Sequence, residues 1–244
     1  MGIKTMKIRN IYFGKGVPFF CIAVTLLCII VTLISQLIPS TYMALVFTYP
    51  VKYPWQIITW IFLQGVPQEY IPADFPYSAM QLTIGHLGYN LLLILPFGIL
   101  VEKVLGTKKM LVLFAASWVA DVILFLVTGA IYTSFNLLKD GEQFGGSGAS
   151  GLAFCFTPTV VYALLVLGRN FGFGKLLKQV SFYFLISIAI QTLIIALSPS
   201  VKGVTGIPSM IIHLLALVIG IIFTIVFRKT INAYFDIKKP ESAG

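Results

Sequence analysis

The stretch FGGSGASGLAFCFTPTVVYALLVL, residues 144–167, changes abruptly from small polar residues to a largely apolar run. Glycine and serine dominate as far as Ser150, and from Gly151 onwards most residues are hydrophobic. A helix needs roughly 20 apolar residues to cross the hydrocarbon core of a bilayer. The run is of that order, so we expect a membrane-spanning helix that carries the hydroxyl of Ser150 at its start.

Further apolar stretches of similar length fill most of the remaining chain. Hydrophobic residues make up 58% of the 244 residues and charged residues only 10%, which exceeds what the core of a soluble domain requires. We therefore expect an all-α polytopic membrane protein, a bundle of six transmembrane helices. The predicted helices cover residues 17–38, 82–101, 110–132, 150–168, 180–198 and 207–227. The predicted divisions are a basic N-terminus at 1–16, the membrane domain at 17–227 and a short, polar, disordered tail at 228–244.

The distribution of basic residues predicts the orientation of these helices. Of the 17 lysines and arginines, only Lys52, Lys139 and Lys202 lie in the loops on one side. Cytoplasmic loops carry the excess of Lys and Arg, so both termini are predicted to be cytoplasmic and these three residues external. The net charge of +9 then reflects topology, and the lipid bilayer with its anionic lipids, rather than nucleic acid, is the expected partner. The first apolar stretch is longer than a signal-peptide core, and we expect it to be retained.

Three external loops follow from this orientation, at residues 39–81, 133–149 and 199–206. The first contains YPWQIITWIFLQGV, residues 53–66, which is apolar and aromatic but too short to span a bilayer. We expect such a segment to lie in the membrane interface, where Trp and Tyr are favoured, or to dip into the outer leaflet. The alternative is a packed loop.

Polar residues in the predicted helices are few, and several lie towards the external side. His86 and Asn90 are one helical turn apart in GHLGYN, and His213 lies in the sixth helix. Burying such groups in a bilayer is costly unless they are paired, so they are candidates for a function. Ser150 opens the fourth helix on the same side, and all four side chains can therefore share one site.

Two features would bring Ser150 and His213 to the same depth. His213 lies roughly 9 Å below the start of its helix at about 1.5 Å per residue, so the glycine-rich loop before Ser150 must fold down into the protein. The sixth helix also has a stripe of small residues, which allows close approach to the fourth helix. The stripe consists of Ser209, His213, Ala216 and Gly220. Without its histidine, the stripe would indicate ordinary helix packing.

A serine beside a histidine is the arrangement of an acyl-transfer site. The imidazole of His213 would accept the hydroxyl proton of Ser150 during attack and return it to the leaving amine. Unpaired backbone N–H groups at the helix start, together with His86 and Asn90, would stabilise the developing oxyanion.

Other classes of site fit these residues less well. The glycine-rich loop lacks the lysine of a phosphate-binding loop, and Leu152 stands where a G-x-S-x-G hydrolase needs glycine. Cys21, Cys28 and Cys155 fall in predicted helices and form no CxxC motif or Cys/His cluster. We therefore expect no disulfide, no metal and no cofactor.

Taken in order along the chain, these motifs resemble the rhomboid family of intramembrane serine proteases. HLGYN (86–90) matches H-x-x-x-N on helix 2, GASG (148–151) matches GxSG at the start of helix 4, and His213 lies on helix 6. FGILVEKVLGTKK (97–109) also resembles the family's stretch after helix 2. The resemblance covers residues from about 54 to 227.

The resemblance implies a catalytic dyad of Ser150 and His213, with His86, Asn90 and the Ser150 amide as the oxyanion hole. It implies transmembrane protein substrates that enter sideways, often between helices 2 and 5, and are cut near the outer face. The supporting residues that it implies are Gly148, Gly151, Phe154, Ala216 and Gly220.

Several positions depart from the family pattern. Phe154 stands where the family often has a tyrosine stacked on the histidine, and it can stack but cannot donate a hydrogen bond. Ala216 replaces a usual glycine, and the first loop carries an extended segment, PQEYIPADFPYSAM (67–80), without the familiar Trp-Arg pair. GGSG, residues 145–148, also makes Ser147 a rival nucleophile. Ser150 is favoured because the helix begins directly after it.

Two other functions remain open. One is a catalytically inactive rhomboid-like protein that binds membrane segments, although the intact Ser150 and His213 argue against it. The other is a small proton-coupled transporter in which Asp121 of the third helix and the two histidines relay protons, although the sequence shows no internal symmetry. We expect structural hydrogen bonding for Asp121. The absence of a transit peptide predicts a prokaryotic cell membrane with the active site on the external side, and the sequence indicates no particular oligomeric state.

Overall fold

The computed structural model describes residues 6–14, 16–71, 73, 75–138, 144–198 and 206–237. Most of these residues are helical. The helices are α1 (Arg9–Tyr12), α2 (Phe19–Leu37), α3 (Tyr42–Leu45), α4 (Gln56–Thr59), α5 (Ala79–Leu93), α6 (Ile99–Leu105), α7 (Thr107–Ser134), α8 (Ser150–Phe171), α9 (Phe173–Leu176), α10 (Val180–Ala196) and α11 (Gly206–Ile237). The short strands are β1 (Phe47–Tyr49) and β2 (Phe144–Gly146).

The helical membrane bundle predicted from the sequence is confirmed. Among the described residues, five helices are long and apolar enough to cross a membrane, and α10 is a shorter apolar helix at the fifth predicted position. Of these five helices, α8 is the most enclosed. In its most apolar part 78% of the residues are buried, compared with at most 39% in each of the other four. The helix that begins at Ser150 is therefore the centre of the bundle.

The second span is longer than predicted. A π-helical segment at Ile94–Gly98 joins α5 to α6, so that one continuous span runs over Ala79–Leu105. Pro96 lies in this segment, and a proline inside a helix removes a backbone N–H and clashes with the preceding turn. The hydroxyl of Tyr12 donates to the Pro96 carbonyl at 2.6 Å, which joins the π-helical segment to α1.

The last helix also exceeds its predicted bounds. Disorder was expected from residue 228, but α11 continues to Ile237. Ile231 and Phe235 lie one turn apart on this extension and are fully buried, so the apolar face of the helix continues past the basic residues. The expected disorder is therefore wrong for 228–237. The rest of the predicted tail lies outside the described residues.

A two-stranded antiparallel sheet joins the first and second predicted loops. Phe47 pairs with Gly146 and Tyr49 pairs with Phe144, so the chain just before Ser150 is hydrogen-bonded to the first loop. This pairing makes the descending glycine-rich segment partly a strand rather than a plain loop. The predicted third loop lies outside the described residues over 199–205.

The apolar segment at 53–66 is packed in its second half. Trp60 is 3% exposed and Leu63 is fully buried, whereas Trp55 is 49% and Ile58 50% exposed. The packed-loop alternative therefore holds for the part nearest the second span. Contact of the exposed part with the membrane interface stays a prediction.

The packing of α11 on α8 depends on small residues. Ala216 is fully buried, and a Cβ at Gly220 would collide with the carbonyl oxygen of Cys155 on α8. Close to this contact, the hydroxyls of Thr159 and Thr224 are hydrogen-bonded at 2.8 Å. The small residues of α11 thus allow the backbones of the two helices to approach closely.

The carboxylate of Glu102, at the α6 end of the second span, joins three elements. Its Oε1 accepts from the Phe20 N–H at 3.0 Å and from the Thr107 hydroxyl at 2.6 Å, and its Oε2 accepts from the Cys21 N–H at 3.0 Å. These N–H groups belong to the first turn of α2, which has no side-chain cap of its own. Glu102 therefore fixes the start of α2 against the turn between α6 and α7.

Candidate active site

Ser150 is the first residue of α8 and is half-buried. The residue before α8 does not cap the helix with its side chain. The backbone N–H groups of the first turn therefore lack the usual capping acceptor. The preceding backbone is held in place, because the Gly148 N–H donates to the Trp60 carbonyl at 2.9 Å. The rival serine, Ser147, lies in the segment between β2 and α8, outside the helix.

His213 packs directly against the first turns of α8. It is 6% exposed, and its ring is stacked on that of Phe154 with centroids 4.2 Å apart and planes 10° from parallel. Phe154 is four residues after Ser150 and therefore lies on the same face of α8, one turn further along. The imidazole of His213 is thus held beside the helix face that carries the serine.

No hydrogen bond joins Ser150 to His213 among the described residues, and Nδ1 of His213 has no partner there. In enzyme structures without substrate, hydrogen bonds between catalytic groups are often long and shorten only when substrate binds. The structure therefore places the His213 ring beside the first turns of α8, and the predicted dyad of Ser150 and His213 stays a prediction.

His86 lies over the loop that precedes Ser150. A Cβ at Gly148 would be 2.6 Å from both Cε1 and Nε2 of the His86 ring, so only glycine leaves room for the imidazole. On the opposite side of the ring, Nδ1 accepts from the Gly65 N–H at 3.3 Å. The ring is therefore held between the first loop and the backbone that leads into α8.

Asn90 is fully buried one turn below His86. Its Nδ2 donates to Oε1 of Gln64 at 2.7 Å, whereas its Oδ1 has no partner among the described atoms. Gln64 is also fully buried, and its Oε1 would lie 3.5 Å from a Cβ at Gly148. The structure thus brings His86, Asn90 and the backbone before Ser150 together, with Gln64 between them.

Sequence reasoning did not identify Gln64. The residue stands in an apolar loop segment, outside any helical or strand periodicity that would predict its direction. Its direction is set largely by contacts with residues distant in sequence, since its backbone N–H donates to the Thr32 hydroxyl on α2 at 3.0 Å and its side chain accepts from Asn90 on α5.

Asp121 lies against the residue that follows Ser150. A Cβ at Gly151 would collide with the Asp121 carboxylate. Asp121 is 4% exposed, and its Oδ1 and the Ser117 hydroxyl are buried without partners among the described residues. A small cavity beside them is also lined by Gly148 and Leu152. The hydrogen bonding expected for Asp121 therefore stays a prediction, and the acid borders the candidate site.

The comparison with protein families gave one match. Residues 75–230 match the family model of the rhomboid domain, a range that includes α5, α7, α8, α10 and most of α11. The comparison with curated proteins gave no match. The matched range contains the serine, both histidines and the asparagine of the site described above.

Proposed function

This chain belongs to the rhomboid family, and from that premise we propose that it is an intramembrane serine endopeptidase. Its substrates would be transmembrane proteins, cleaved within or near their membrane-spanning segments. The family is typically proteolytic, and the chain is an integral membrane protein by its apolar helices. We propose a prokaryotic cell membrane as its location, with the site towards the external side.

The observation that carries this proposal is the stacking of His213 on Phe154. It supports a base held against the first turns of the helix that Ser150 opens. In the proposed reaction, His213 accepts the Ser150 proton while the serine oxygen bonds to the scissile carbonyl carbon. His213 then protonates the leaving amine as the C–N bond breaks. Water, deprotonated by His213, hydrolyses the resulting acyl-enzyme.

The developing negative charge on the carbonyl oxygen needs donors in a site shielded from water. We assign this role to the Ser150 N–H, His86 and Asn90. The close approach of His86 to Gly148 supports this assignment, because it brings a ring nitrogen to the backbone just before the serine. Substrate is proposed to enter between α5 and α10, where the Tyr89 and Thr192 hydroxyls lie 3.3 Å apart.

Fluorophosphonate labelling of the purified protein in detergent, with mass mapping of the adduct, tests for an activated serine. We expect an adduct on Ser150 in the wild type and in Ser147→Ala, and none in Ser150→Ala. An adduct on Ser147 would overturn the assignment of the nucleophile. No adduct in folded protein would instead favour an inactive family member that binds membrane segments.

Cleavage itself is tested in liposomes with a fluorescent peptide that has one transmembrane segment and small residues near one end. We expect hydrolysis by the wild type and none by Ser150→Ala. A protein that is labelled at Ser150 but cuts none of a panel of such peptides would contradict the endopeptidase assignment.

A further inference from the structure

We propose that Gln64 and Gly65 of the first loop are positioning residues that determine which atoms of Asn90 and His86 donate hydrogen bonds in the oxyanion hole. The inference rests on the proposed function, since it concerns the same site. Its physical content, the orientation of an amide and the tautomer of an imidazole, can be measured separately from catalysis.

The orientation of the Gln64 amide is fixed by a group that can only accept. Its Nε2 donates to the Ile61 carbonyl at 2.9 Å, and a carbonyl oxygen has no proton to give in return. The amide nitrogen of Gln64 must therefore face Ile61, and its oxygen must face the other way. The side chain cannot turn easily, because it is fully buried and its own N–H is bonded to Thr32.

The Gln64 oxygen in turn fixes Asn90. Oε1 of Gln64 accepts at 2.7 Å, so the atom of Asn90 that faces it must be the donor Nδ2. A side-chain amide nitrogen carries two hydrogens. Gln64 uses one of them, and the second is left for the substrate oxyanion. Without Gln64, the Asn90 amide could rotate and present its oxygen, which would repel the developing negative charge.

Gly65 acts on His86 by the same logic. Its backbone N–H is a donor at 3.3 Å from Nδ1, so Nδ1 must offer its lone pair. In the neutral imidazole the proton is then on Nε2, and this nitrogen faces Gly148, two residues before the nucleophile. The Gly65 contact thus makes Nε2 of His86 the donor that faces the site.

The dipeptide is itself rigidly held. Gly65 has φ +80°, a conformation that residues with a Cβ rarely adopt, and a Cβ there would also collide with Thr83 of α5. Gln64 and Gly65 are adjacent in sequence, so one short piece of backbone orders both proposed side-chain donors. Neither residue would contact the substrate in this arrangement.

The first test measures the tautomer of His86 in the folded wild type. The chain has two histidines, so ¹⁵N-histidine labelling gives a simple spectrum, and His213→Ala assigns the remaining signals. We expect the His86 ring to be protonated at Nε2 and unprotonated at Nδ1 at neutral pH. A ring protonated at Nδ1 would overturn the Gly65 half of the proposal, whether or not the protein is active.

The second test is a double-mutant cycle in the second-order rate constant of fluorophosphonate labelling. Gln64→Met keeps the size of the side chain but removes the acceptor for Asn90. We expect it to lower the rate constant between about tenfold and a hundredfold. In an Asn90→Ala background it should change the rate less than about twofold, because Gln64 acts only through Asn90. If Gln64→Met does not fold, Gln64→Asn, which is too short to reach Asn90, replaces it.

Equal effects of the Gln64 change in both backgrounds would overturn the Gln64 half, since a merely structural residue lowers activity whatever stands at position 90. The Ser150→Ala protein separates this failure from failure of the proposed function. If the wild type reacts no faster than Ser150→Ala, the function fails. The inference is then decided by the His86 tautomer and by the amide signals of Asn90, which should shift in Gln64→Met.

Discussion

Two buried carboxylates, Glu102 and Asp121, differ in how their oxygens are satisfied. Glu102 is 3% exposed and accepts three hydrogen bonds from α2 and the start of α7. Asp121 is 4% exposed, yet its Oδ1 has no partner among the described residues. The two carboxylates are thus about equally buried, but Glu102 is hydrogen-bonded at both oxygens whereas Asp121 is unpaired at Oδ1.

Glu102 lies at the end of the bundle where its hydrogen bonds stabilise the fold, which we call the structural end. Asp121 lies at the other, functional end, which contains the candidate site. Unpaired buried groups cost free energy, so native structures keep few of them. Several of those among the described residues lie around the start of α8, and they belong to Asn90, Ser117, Asp121 and His213. Groups that a fold leaves unpaired in one region are free to bind water or substrate there, whereas the saturated Glu102 contributes to stability.

The largest expected effect is on activity at the functional end. His213→Ala should lower fluorophosphonate labelling and peptide cleavage at least about 10³-fold, because it removes the base proposed to accept the Ser150 proton. The free energy of unfolding should change by no more than about 2 kcal/mol, since Nδ1 has no bond to lose. Labelling rates and unfolding in mixed detergent micelles measure the two effects, and full activity in this variant would remove His213 from the dyad.

The next largest effect is on stability at the opposite end. Glu102→Ala leaves the N–H groups of Phe20 and Cys21 without their acceptor, and we expect it to cost about 3 kcal/mol. The labelling rate of the protein that remains folded should be unchanged. Glu102→Gln, which keeps one acceptor oxygen, is the matched control and should cost less. Loss of labelling in folded Glu102→Ala would show that the two ends are coupled.

Asn90→Ala should have an intermediate effect on catalysis. Removing one oxyanion donor typically lowers turnover about 10²-fold, equivalent to roughly 2.7 kcal/mol of transition-state stabilisation. We expect the loss mainly in kcat for the transmembrane peptide, because the donor acts most strongly on the transition state. Unchanged kinetics would exclude Asn90 from the oxyanion hole.

The smallest effect is expected for Asp121→Asn. This nearly isosteric change removes an ionisable group whose Oδ1 is unpaired, so the free energy of unfolding should rise or stay within about 1 kcal/mol. Unfolding of Asp121→Asn and Glu102→Gln in the same detergent mixture makes the comparison direct. A loss of more than about 3 kcal/mol at Asp121 would mean that its carboxyl is bonded as firmly as that of Glu102.

Much of the fold follows from the lengths of the apolar stretches, because a bilayer allows few alternatives to helices that span it. The bounds that differ have local causes. Pro96 produced a π segment rather than an end to the second span, and Ile231 and Phe235 extended α11 into a tail that looked polar. Both differences depend on contacts with neighbouring helices, and such contacts cannot be predicted from one stretch of sequence.

The residues of the site were predictable where they follow helical spacing. On α5, His86 and Asn90 lie one turn apart, and on α8, Phe154 lies one turn after Ser150, as helical spacing predicts. Their roles stay predictions. Gln64 was not predictable, because a loop side chain takes its direction from tertiary contacts. The contact between Asp121 and Gly151 is of the same kind, since it joins α7 to α8.

The stacking of Phe154 on His213 also bears on the order in which the protein is made. Ser150 and its neighbours on α8 leave the ribosome before α11, the last of the described helices. A nascent chain that has inserted α8 but not α11 holds the serine without the imidazole proposed to activate it. Under the proposed function, the serine would stay inactive during biosynthesis until α11 has docked on α8.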